Sequence, residues 1–491
     1  MKCVLSKFWL DEVHVTEREA SQIPKKDENF SEWYTAVALK AELADYSPVR
    51  GFMAIRPYGY ALWEGMQAWL DRRFKDTGHV SAYFPLLVPE SFLQKEAEHV
   101  QGFAPQVAWV TQGGDEKLSE RLAVRPTSEA IILPMYAKWI QSYRDLPVLL
   151  LQWNSVVRWE RATRLFLRTA EFLWHEGHTA HRTAEDADAE CRLILGIYRD
   201  LLEDVLAIPV LTGIKSKSER FAGADNTYTL EALMPDGQAI QAGTSHFLGQ
   251  NFAKAFNVKF LDSDNQEKYI WSTSWAVTTR LIGCLIMAHG DDRGLVLPPQ
   301  IAPYHIVIVP ILGKEEAKVL AAARDLAKTL GTRFRVKLDD RDAYTPGWKF
   351  NEWELRGVPV RLEVGPRDVA AGQAVLVRRS GGAKQAVPVN GITDAVGKVL
   401  DEIQKELFHR AKAYRDSHTT SADSVEAIVR ALAEVKGFVK VGWCESQQCE
   451  DTIRERTGAS PRVIPLDEKV SGNCVVCGKP AKAWVYYARA Y

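Results

Sequence analysis

Apolar positions along the chain change their spacing three times. In "GFMAIRPYGYALWEGMQAWLDRRFKDTGHVSAYFPLLVPE", residues Ala61, Leu62, Met66, Trp69, Leu70 and Phe74 recur every three to four positions. This predicts a turn, a long amphipathic helix and a short apolar strand. Upstream, a charged, helix-like first 50 residues lead into a similar pattern at "KKDENFSEWYTAVALKAELAD". From about Leu146 to Leu297 strand-like runs dominate ("VLLLQWNSVVRWE", "TYTLEAL", "AIQAGTSHFLG"), with few helices between them. That order predicts a mainly antiparallel sheet. "LVLPPQIAPYHIVIVPI" marks a boundary, with four prolines from Pro298 to Pro310. Beyond it, "YHIVIVPI", "EEAKVLAAARDLAKTL", "TRFRVKLDD", "FNEWELRG" and "VPVRLEVG" alternate strand and helix, as in a small α/β domain with parallel strands. A charged helix ("VLDEIQKELFHRAKAYRDS") then leads to a last segment of about 80 residues. No internal repeat or low-complexity tract interrupts this order.

Composition changes the picture little. The 491 residues suffice for two to four domains at roughly 150 residues each. With 46% hydrophobic residues, 25% charged residues and a net charge of -1, no global bias points to nucleic acid. Any such binding must come from local surface, and residues 301–410, with 18 Lys/Arg against 14 Asp/Glu, are modestly basic. The start, "MKCVLSKFWLDEVHVTEREA", has no apolar core of signal-peptide length, and no run approaches the ~18 apolar residues of a membrane span. Seven cysteines, an odd number, suit a reducing cytoplasm better than a disulfide scaffold.

Four of those cysteines do change the picture. Cys444-x4-Cys449 and Cys474-x2-Cys477 form two close pairs separated by 24 residues. Short loops let two thiolates share one cation, and two loops complete a tetrahedral four-sulfur shell. Gly442, Gly472 and Gly478 flank them, as tight metal-binding turns require. A site with four thiolates and no open position is structural, so one Zn2+ per chain is expected there.

Candidate chemistry elsewhere is spread over four stretches. "SVVRWERATRLFLRTAEFLWHEGHTAH" sets Arg158 and Glu160 two apart, on one face of a strand; a second strand is expected from Phe166, carrying Arg168 and Thr169. An arginine fork grips phosphate or carboxylate, and a glutamate accepts from an amino group. "RPTSE" places Thr127 and Glu129 ahead of a helix, "IQAGTSHFLGQNF" offers Gln241, Thr244 and His246, and "STSWAVTTRLIG" offers Ser274, Thr278 and Arg280. Singly, each is also explained by ion pairing, capping or a core histidine.

Together, in this order, they resemble the class II aminoacyl-tRNA synthetases, and specifically prolyl-tRNA synthetases of the archaeal and eukaryotic type. "GFMAIRPYGY" resembles motif 1, "VVRWE…FLRTAEFLW" motif 2 and "SWAVTTR" motif 3. "RPTSE" is similar to the T-x-E of proline specificity, "TPGWKFNEWELRGVPVRLEVGPRD" to the anticodon-binding domain, and the cysteine segment to the group's added zinc domain. The resemblance implies an α+β catalytic domain on an antiparallel sheet (1–298), an α/β anticodon-binding domain (299–408) and a C-terminal α/β zinc-binding domain (409–491).

It also implies a reaction. Proline and ATP with Mg2+ give prolyl-adenylate, and the prolyl group passes to the terminal ribose of tRNA(Pro). Arg158 would touch the α-phosphate and the proline carboxylate, Glu160 the adenine, and Arg280 the γ-phosphate end. Arg168, Thr169, Gln241, Thr244 and Thr278 would complete the nucleotide and magnesium side, where Glu160 is a candidate metal ligand. Thr127 and Glu129 would receive the two N–H donors of proline's ammonium, with Trp174, Glu176, Phe221, His246 and Ser274 around the ring. Trp348, Lys349, Glu352 and Arg356 are the anticodon candidates. Tyr491 matches the family's closing tyrosine, expected near the active site. Ala276 stands where motif 3 usually has glycine. Only 115 residues separate Glu160 from Trp275, too few for the large editing insertion of bacterial-type relatives. A homodimer in the cytoplasm, with no membrane association, completes the expectation.

Rival readings lack their marks. A threonyl enzyme needs a catalytic zinc in the pocket, a seryl enzyme an N-terminal coiled-coil arm. A non-catalytic, synthetase-like tRNA-binding protein would be expected to have lost Arg158, Glu160 or Arg280. A metallohydrolase on "LWHEGHTAH" fails because Thr179 occupies the second histidine of HExxH. Strand parity also splits the stretch, with Trp174, Glu176 and His178 on one face and His175, Gly177, Thr179 and His181 on the other.

Overall fold

The computed structural model describes residues 23–99, 106–313 and 315–491. Expectations for the first 22 residues, including the signal-peptide region and Cys3, lie outside them. The long helix is Pro57–Asp76, started by proline at its first position and burying Leu62, Trp63, Met66, Leu70 and Phe74. It packs with helix Phe30–Lys40 and with helix Arg280–His289 beneath the main sheet, so the predicted apolar stripe becomes core.

That sheet has 11 strands. Its larger part runs in the order Val210–Ile214, Asn226–Leu233, Ala239–Gly249, Trp271–Thr278, Glu171–His181 and Val148–Val157, all antiparallel, and is closed by the short parallel edge Val80–Ser81. The chain 158–170 differs from expectation. The second strand of the motif 2 hairpin begins at Glu171, not Phe166. Phe166 adopts a left-handed φ of 60° and is buried with Leu165 and Leu167, so the chain must turn there before it can pair. Arg168 and Thr169 therefore stand on a loop.

Within the strand-rich region, helix Ala184–Asp200 runs under the sheet and continues as a wider turn, Leu201–Val205. Thr183 caps it by accepting from the Asp186 amide, and Glu185 and Asp186 suit its positive end. Cys191, Ile194, Leu195 and Tyr198 carry its apolar face.

Residues 305–388 form a five-stranded sheet in the order Val336–Leu338, Ile306–Pro310, Val360–Val364, Gln373–Arg378 and Gln385–Pro388. The first three strands are parallel, as the alternation predicts; the last two return antiparallel, through the short helix Pro366–Ala370 and then a loop, connections too short for a parallel crossover. Helix Ile392–Ser417 then crosses to the C-terminal strands Thr419–Ser421, Phe438–Trp443, Ala483–Ala488 and Ser460–Pro465. Here the structure adds something the pattern hides. Strand Ser460–Pro465 pairs with Val210–Ile214, so the C-terminal strands extend that larger part. Gly213 permits the junction, since a Cβ there would lie 2.2 Å from the Ile464 carbonyl oxygen.

Candidate active site and metal centre

Sheet register assembles the site in rows. Thr227, His246, Ser274 and His178 are direct neighbours on four successive strands. Thr244, Ala276, Glu176 and Gln152 form the next row, and Thr278, Trp174 and Asn154 another. Their common face floors a cavity of about 330 Å³. Thr127, Glu129, Arg158, Glu160, Arg168, Thr169, Trp174, Glu176, Phe221, Gln241, Thr244, His246, Ser274, Thr278 and Arg280 all line it, so every residue expected around proline and ATP is brought together.

Parity holds along "LWHEGHTAH". His175 points to the underside, bonding the Tyr198 hydroxyl at 2.8 Å among Phe74, Trp153 and Trp275, and burial pushes its pKa down to about 3. His181 and Thr179 bond each other at 2.7 Å on that same side. Gly177 is required there: a Cβ would come within 2.1 Å of the Trp275 ring.

On the cavity side Glu176 is a hub. Its Oε1 accepts from Gln152 Nε2 at 2.9 Å, Asn154 Nδ2 at 2.8 Å and the Ser128 hydroxyl; its Oε2 meets His178 Nε2 at 2.9 Å. Burial opposes its charge, but these donors more than offset that and hold the carboxyl below the usual range. For His178 burial likewise favours the neutral form, and the Glu176 bond with the Glu129 charge overrides it, raising the pKa. Asn154 Oδ1 in turn accepts from Trp174 Nε1 at 2.5 Å. One carboxylate thus fixes two walls: the Thr127–Glu129 turn through Ser128, and the Trp174 indole through Asn154. Glu176 therefore braces these walls while lining the cavity, with three protein donors on Oε1 and one on Oε2. Ser128, Gln152 and Asn154 were missed in the sequence, although Gln152 and Asn154 are alternate polar residues in a strand that is apolar elsewhere except at Ser155, a readable sign of a shared polar face.

Thr127 donates its hydroxyl to the Glu129 carboxylate, and both side chains are buried. Opposite, Phe221 stacks on His246 with centroids 4.6 Å apart. Burial, reinforced by His178 and Arg158, lowers the His246 pKa to about 3, so this ring is neutral near pH 7 and adds no positive charge beside a bound ammonium. Arg158 stands between the two ends, with its Nε donating to the Pro126 carbonyl at 3.0 Å and its guanidinium 5.5 Å from both the Phe172 and Trp174 ring centroids. Toward the open side of the cavity Glu160 binds Arg168, with 30% and 61% of the side chains exposed. Arg280 donates to the Leu167 and Gln241 carbonyls at 3.3 and 3.4 Å. Ala276 turns its methyl into the cavity between Thr244 and Glu176.

The chain end packs on the turn before strand Ala239–Gly249, against residues outside the cavity lining. Tyr491 donates its hydroxyl to Asp236, its amide bonds the Ala239 carbonyl at 3.2 Å, and Arg164 of the motif 2 loop lies 5.9 Å from its ring centroid.

The four candidate anticodon residues separate. Trp348 is 44% exposed and stacks on Tyr344 at 4.0 Å, with Arg341 over both rings. Lys349 is a correction: it is buried, its Nζ donating to the Asp339 carbonyl at 3.1 Å, because the turn of helix Pro346–Leu355 carrying it faces the sheet. Arg356 and Glu352 are corrected as well. Arg356 pairs with Glu42 of the N-terminal part and with Glu352, while Glu352 also holds Arg341, so both serve the junction between the two parts. Tyr344, not singled out in the sequence, completes an aromatic platform suited to stacking on an unpaired base.

The cysteines converge. The Sγ atoms of Cys444, Cys449, Cys474 and Cys477 all lie within 4.8 Å of one another, with Cys444 at 3.6 Å from both Cys449 and Cys477. A tetrahedral zinc–thiolate shell with bonds of about 2.3 Å has edges of about 3.8 Å, so the donor set fits zinc. Against burial, backbone amides of Cys477, Val476 and Cys444 bring the Cys474 thiol down to about 7, whereas burial raises the thiols of Cys444 and Cys449. Gly472 and Gly478 have the left-handed φ of tight turns, 84° and 70°. Gly442 does not; it is a strand residue where a Cβ would come 2.7 Å from the Asn473 carbonyl oxygen. No other cluster of three or more metal-binding side chains occurs among the described residues. Among the described residues no helix is long and apolar enough to cross a membrane.

Comparison with known proteins bears on all three parts. Residues 109–289 match the tRNA synthetase class II core domain (G, H, P, S and T), 305–399 the anticodon binding domain, and 425–491 the prolyl-tRNA synthetase C-terminal family. The proline--tRNA ligase of Natranaerobius thermophilus is 53% identical over 97% of this chain and 99% of its own length. That of Alkaliphilus oremlandii is 54% identical over 96% and 98%. Among solved structures, prolyl-tRNA synthetase from Cryptosporidium parvum, complexed with halofuginone and AMPPNP, superposes with a TM-score of 0.91 at 40% identity, over 96% of this chain and 100% of that one.

Proposed function

The chain belongs to the prolyl-tRNA synthetases, class II ligases that join proline to tRNA, and from that premise we propose how its residues divide the work. The observation that carries the reading is one cavity joining the Thr127–Glu129 acceptor pair to the Arg158 guanidinium, beside a neutral Phe221–His246 wall. Proline's secondary ammonium has two N–H donors, which Thr127 and Glu129 accept. Trp174, Phe221, His246 and Ser274 enclose the ring, and Glu176 holds the walls around it.

Arg158 binds the proline carboxylate and the α-phosphate together. A carboxylate oxygen then attacks the α-phosphorus, the bond to the bridging oxygen breaks, and pyrophosphate leaves. Rate enhancement comes from alignment and charge stabilisation, with no covalent enzyme intermediate. Glu160 contacts adenine, Arg280 holds the γ-phosphate end, and Arg168, Thr169, Gln241, Thr244 and Thr278 line the path between them. Mg2+ would neutralise the phosphates, and the donor set suits it: Glu160 with Gln241 and Thr244 offers few oxygens, as Mg2+ held largely by substrate and water requires. In the second step a terminal ribose hydroxyl of tRNA(Pro) attacks the prolyl carbonyl and AMP departs. Trp348 is proposed to stack on an anticodon base.

Further parts of the reading go with these. The proposed architecture is that of the archaeal and eukaryotic type; the two ligases named above are bacterial, and what supports the reading is the Cryptosporidium parvum structure, covered over 100% of its length. The chain from Glu160 to Trp275 is taken up by the catalytic sheet and the helices under it, which supports the absence of editing in cis. Zn2+ occupies the four cysteines as a structural ion, one per chain. Exposed Tyr46, Val49, Val80 and Tyr83 beside the motif 1 helix support a homodimer, and the cytoplasm is the proposed location.

Proline-dependent ATP–pyrophosphate exchange tests the central claim; exchange that does not respond to proline overturns it. Alanine lacks two of proline's ring carbons, and at only about 1–3 kcal/mol of selectivity for a methylene it is an expected misactivated substrate. Purified enzyme that clears alanyl-tRNA faster than spontaneous hydrolysis defeats the no-editing claim, and elemental analysis without tightly held zinc defeats the metal claim.

A further inference from the structure

The segment 215–221 delivers Phe221 to the amino-acid cavity, yet it contains only one short helical turn, Lys217–Glu219. Local bonds hold it, among them the Lys215 amide to the Thr227 carbonyl at 2.9 Å and Arg220 to the Asp225 carbonyl, and two further bonds reach its middle from the far end of the chain. At its start the buried Lys215 donates to Glu231 Oε1 at 2.6 Å. The other oxygen of Glu231 is gripped by both Nε and Nη2 of Arg462, at 2.9 and 2.8 Å. At its middle, Ser218 donates to Glu450, and Glu219 accepts from Arg454 at 2.8 Å. Arg454 also binds Glu450 at 3.0 Å, so one helix, Gln447–Thr457, holds two successive residues of the segment. That helix carries the zinc-site residue Cys449, adjacent to Glu450. At the segment's end Phe221 donates its amide to Thr227 Oγ1 at 3.1 Å, and Thr227 bonds His246 at 3.0 Å.

We propose that Arg454 and Glu450 are positioning residues for the amino-acid cavity: from the cysteine-bearing domain they clamp Ser218 and Glu219 so that Phe221 stays stacked on His246. The clamp gives the C-terminal domain a part in substrate binding that its distance in sequence conceals. Without it the segment keeps its anchors at Lys215, at Arg220 on the Asp225 carbonyl and at Thr227, while Ser218 and Glu219 lose their side-chain ties and the turn that leads to Phe221 is free to shift. Displacement of a wall by about 1 Å is enough to cost a bound substrate its alignment.

The inference rests on the proposed placement of proline against Phe221, which exchange by the unsubstituted enzyme checks separately. Steady-state exchange with R454A, R454K and E219Q, each with zinc content and thermal midpoint measured, tests the clamp. KM for proline should rise about tenfold in R454A, with kcat changed less than about threefold and partial recovery in R454K. The R454A/F221A pair should be no worse than F221A alone, since residues acting through one group are non-additive. Hydrogen exchange of residues 215–222 should quicken in R454A and E219Q while strands 239–249 and 271–278 stay protected. This readout needs no activity, so it separates failure of the clamp from failure of the proline assignment. Unchanged proline KM in R454A, additive effects with F221A, or unaltered exchange of the segment in both R454A and E219Q overturns the proposal.

Discussion

The two ends of the cavity are built on opposite plans. At the amino-acid end, buried polar groups are bonded to one another before any substrate arrives: Thr127 to Glu129, Ser128, Gln152, Asn154 and His178 to Glu176, and Thr227 to His246. At the nucleotide end, Glu160 and Arg168 pair on a half-exposed loop that has left the sheet. The contrast teaches how a small substrate and a large one are held. Proline offers few contacts, so its walls must be rigid in advance, and a closed hydrogen-bond network in a low-dielectric site supplies that rigidity. A nucleotide brings its own charge and can reorganise an exposed ion pair worth only about 0–1 kcal/mol.

Arg158 joins the two ends, so its loss is expected to have the largest effect. R158A should lower kcat/KM for both proline and ATP about 10³-fold or more in pyrophosphate exchange, since it removes the donors common to both substrates. A defect confined to one substrate would show that the ends do not meet at this residue. E176A comes next. It strips the acceptor from buried donors, so a stability loss of about 3 kcal/mol in denaturant titration is expected. Proline KM should rise more than about tenfold while ATP KM moves less than about threefold; equal changes in both would erase the distinction between the ends. R168A should do the reverse, with a rise of about three- to tenfold in ATP KM and no measurable change in unfolding free energy, because exposed ion pairs contribute little. A large stability loss would mean the loop is as closed as the opposite wall. The smallest effect is expected from A276G, which removes a methyl between Thr244 and Glu176. KM for ATP or proline should fall by about threefold or less, and unchanged or worse kinetics would show that the cavity accommodates the methyl without cost.

Much of this was legible in the residues because it depends on local period. Alternation along "LWHEGHTAH" separates Glu176 and His178 from His175 and His181, and the separation holds because side chains on a strand cannot change face without breaking the ladder. The two cysteine loops were equally legible, since short spacing fixes which thiolates can meet. Where local period failed, a non-local contact won. Phe166 looked like the start of a strand by its apolar neighbours, but it turns left-handed to bury beside Leu165 and Leu167. Lys349 looked like an exposed basic contact, yet it sits on the buried side of its helix against Asp339. Arg356 looked like a nucleic-acid contact and is bound to Glu42, more than 300 positions away in the chain.

By itself, then, the sequence determined the family, the order of the parts, the facing of the motif strands and the four cysteines that converge, all properties carried by spacing within a few dozen residues. Only the tertiary structure decided that strand Ser460–Pro465 extends the catalytic sheet, that Glu231 joins Lys215 to Arg462, and that Glu450 and Arg454 reach the wall of the amino-acid cavity. The physical reason is that such pairings are selected by burial. A charge leaves water only where an opposite charge and enough donors await it, and which residues those are is settled by packing between distant segments.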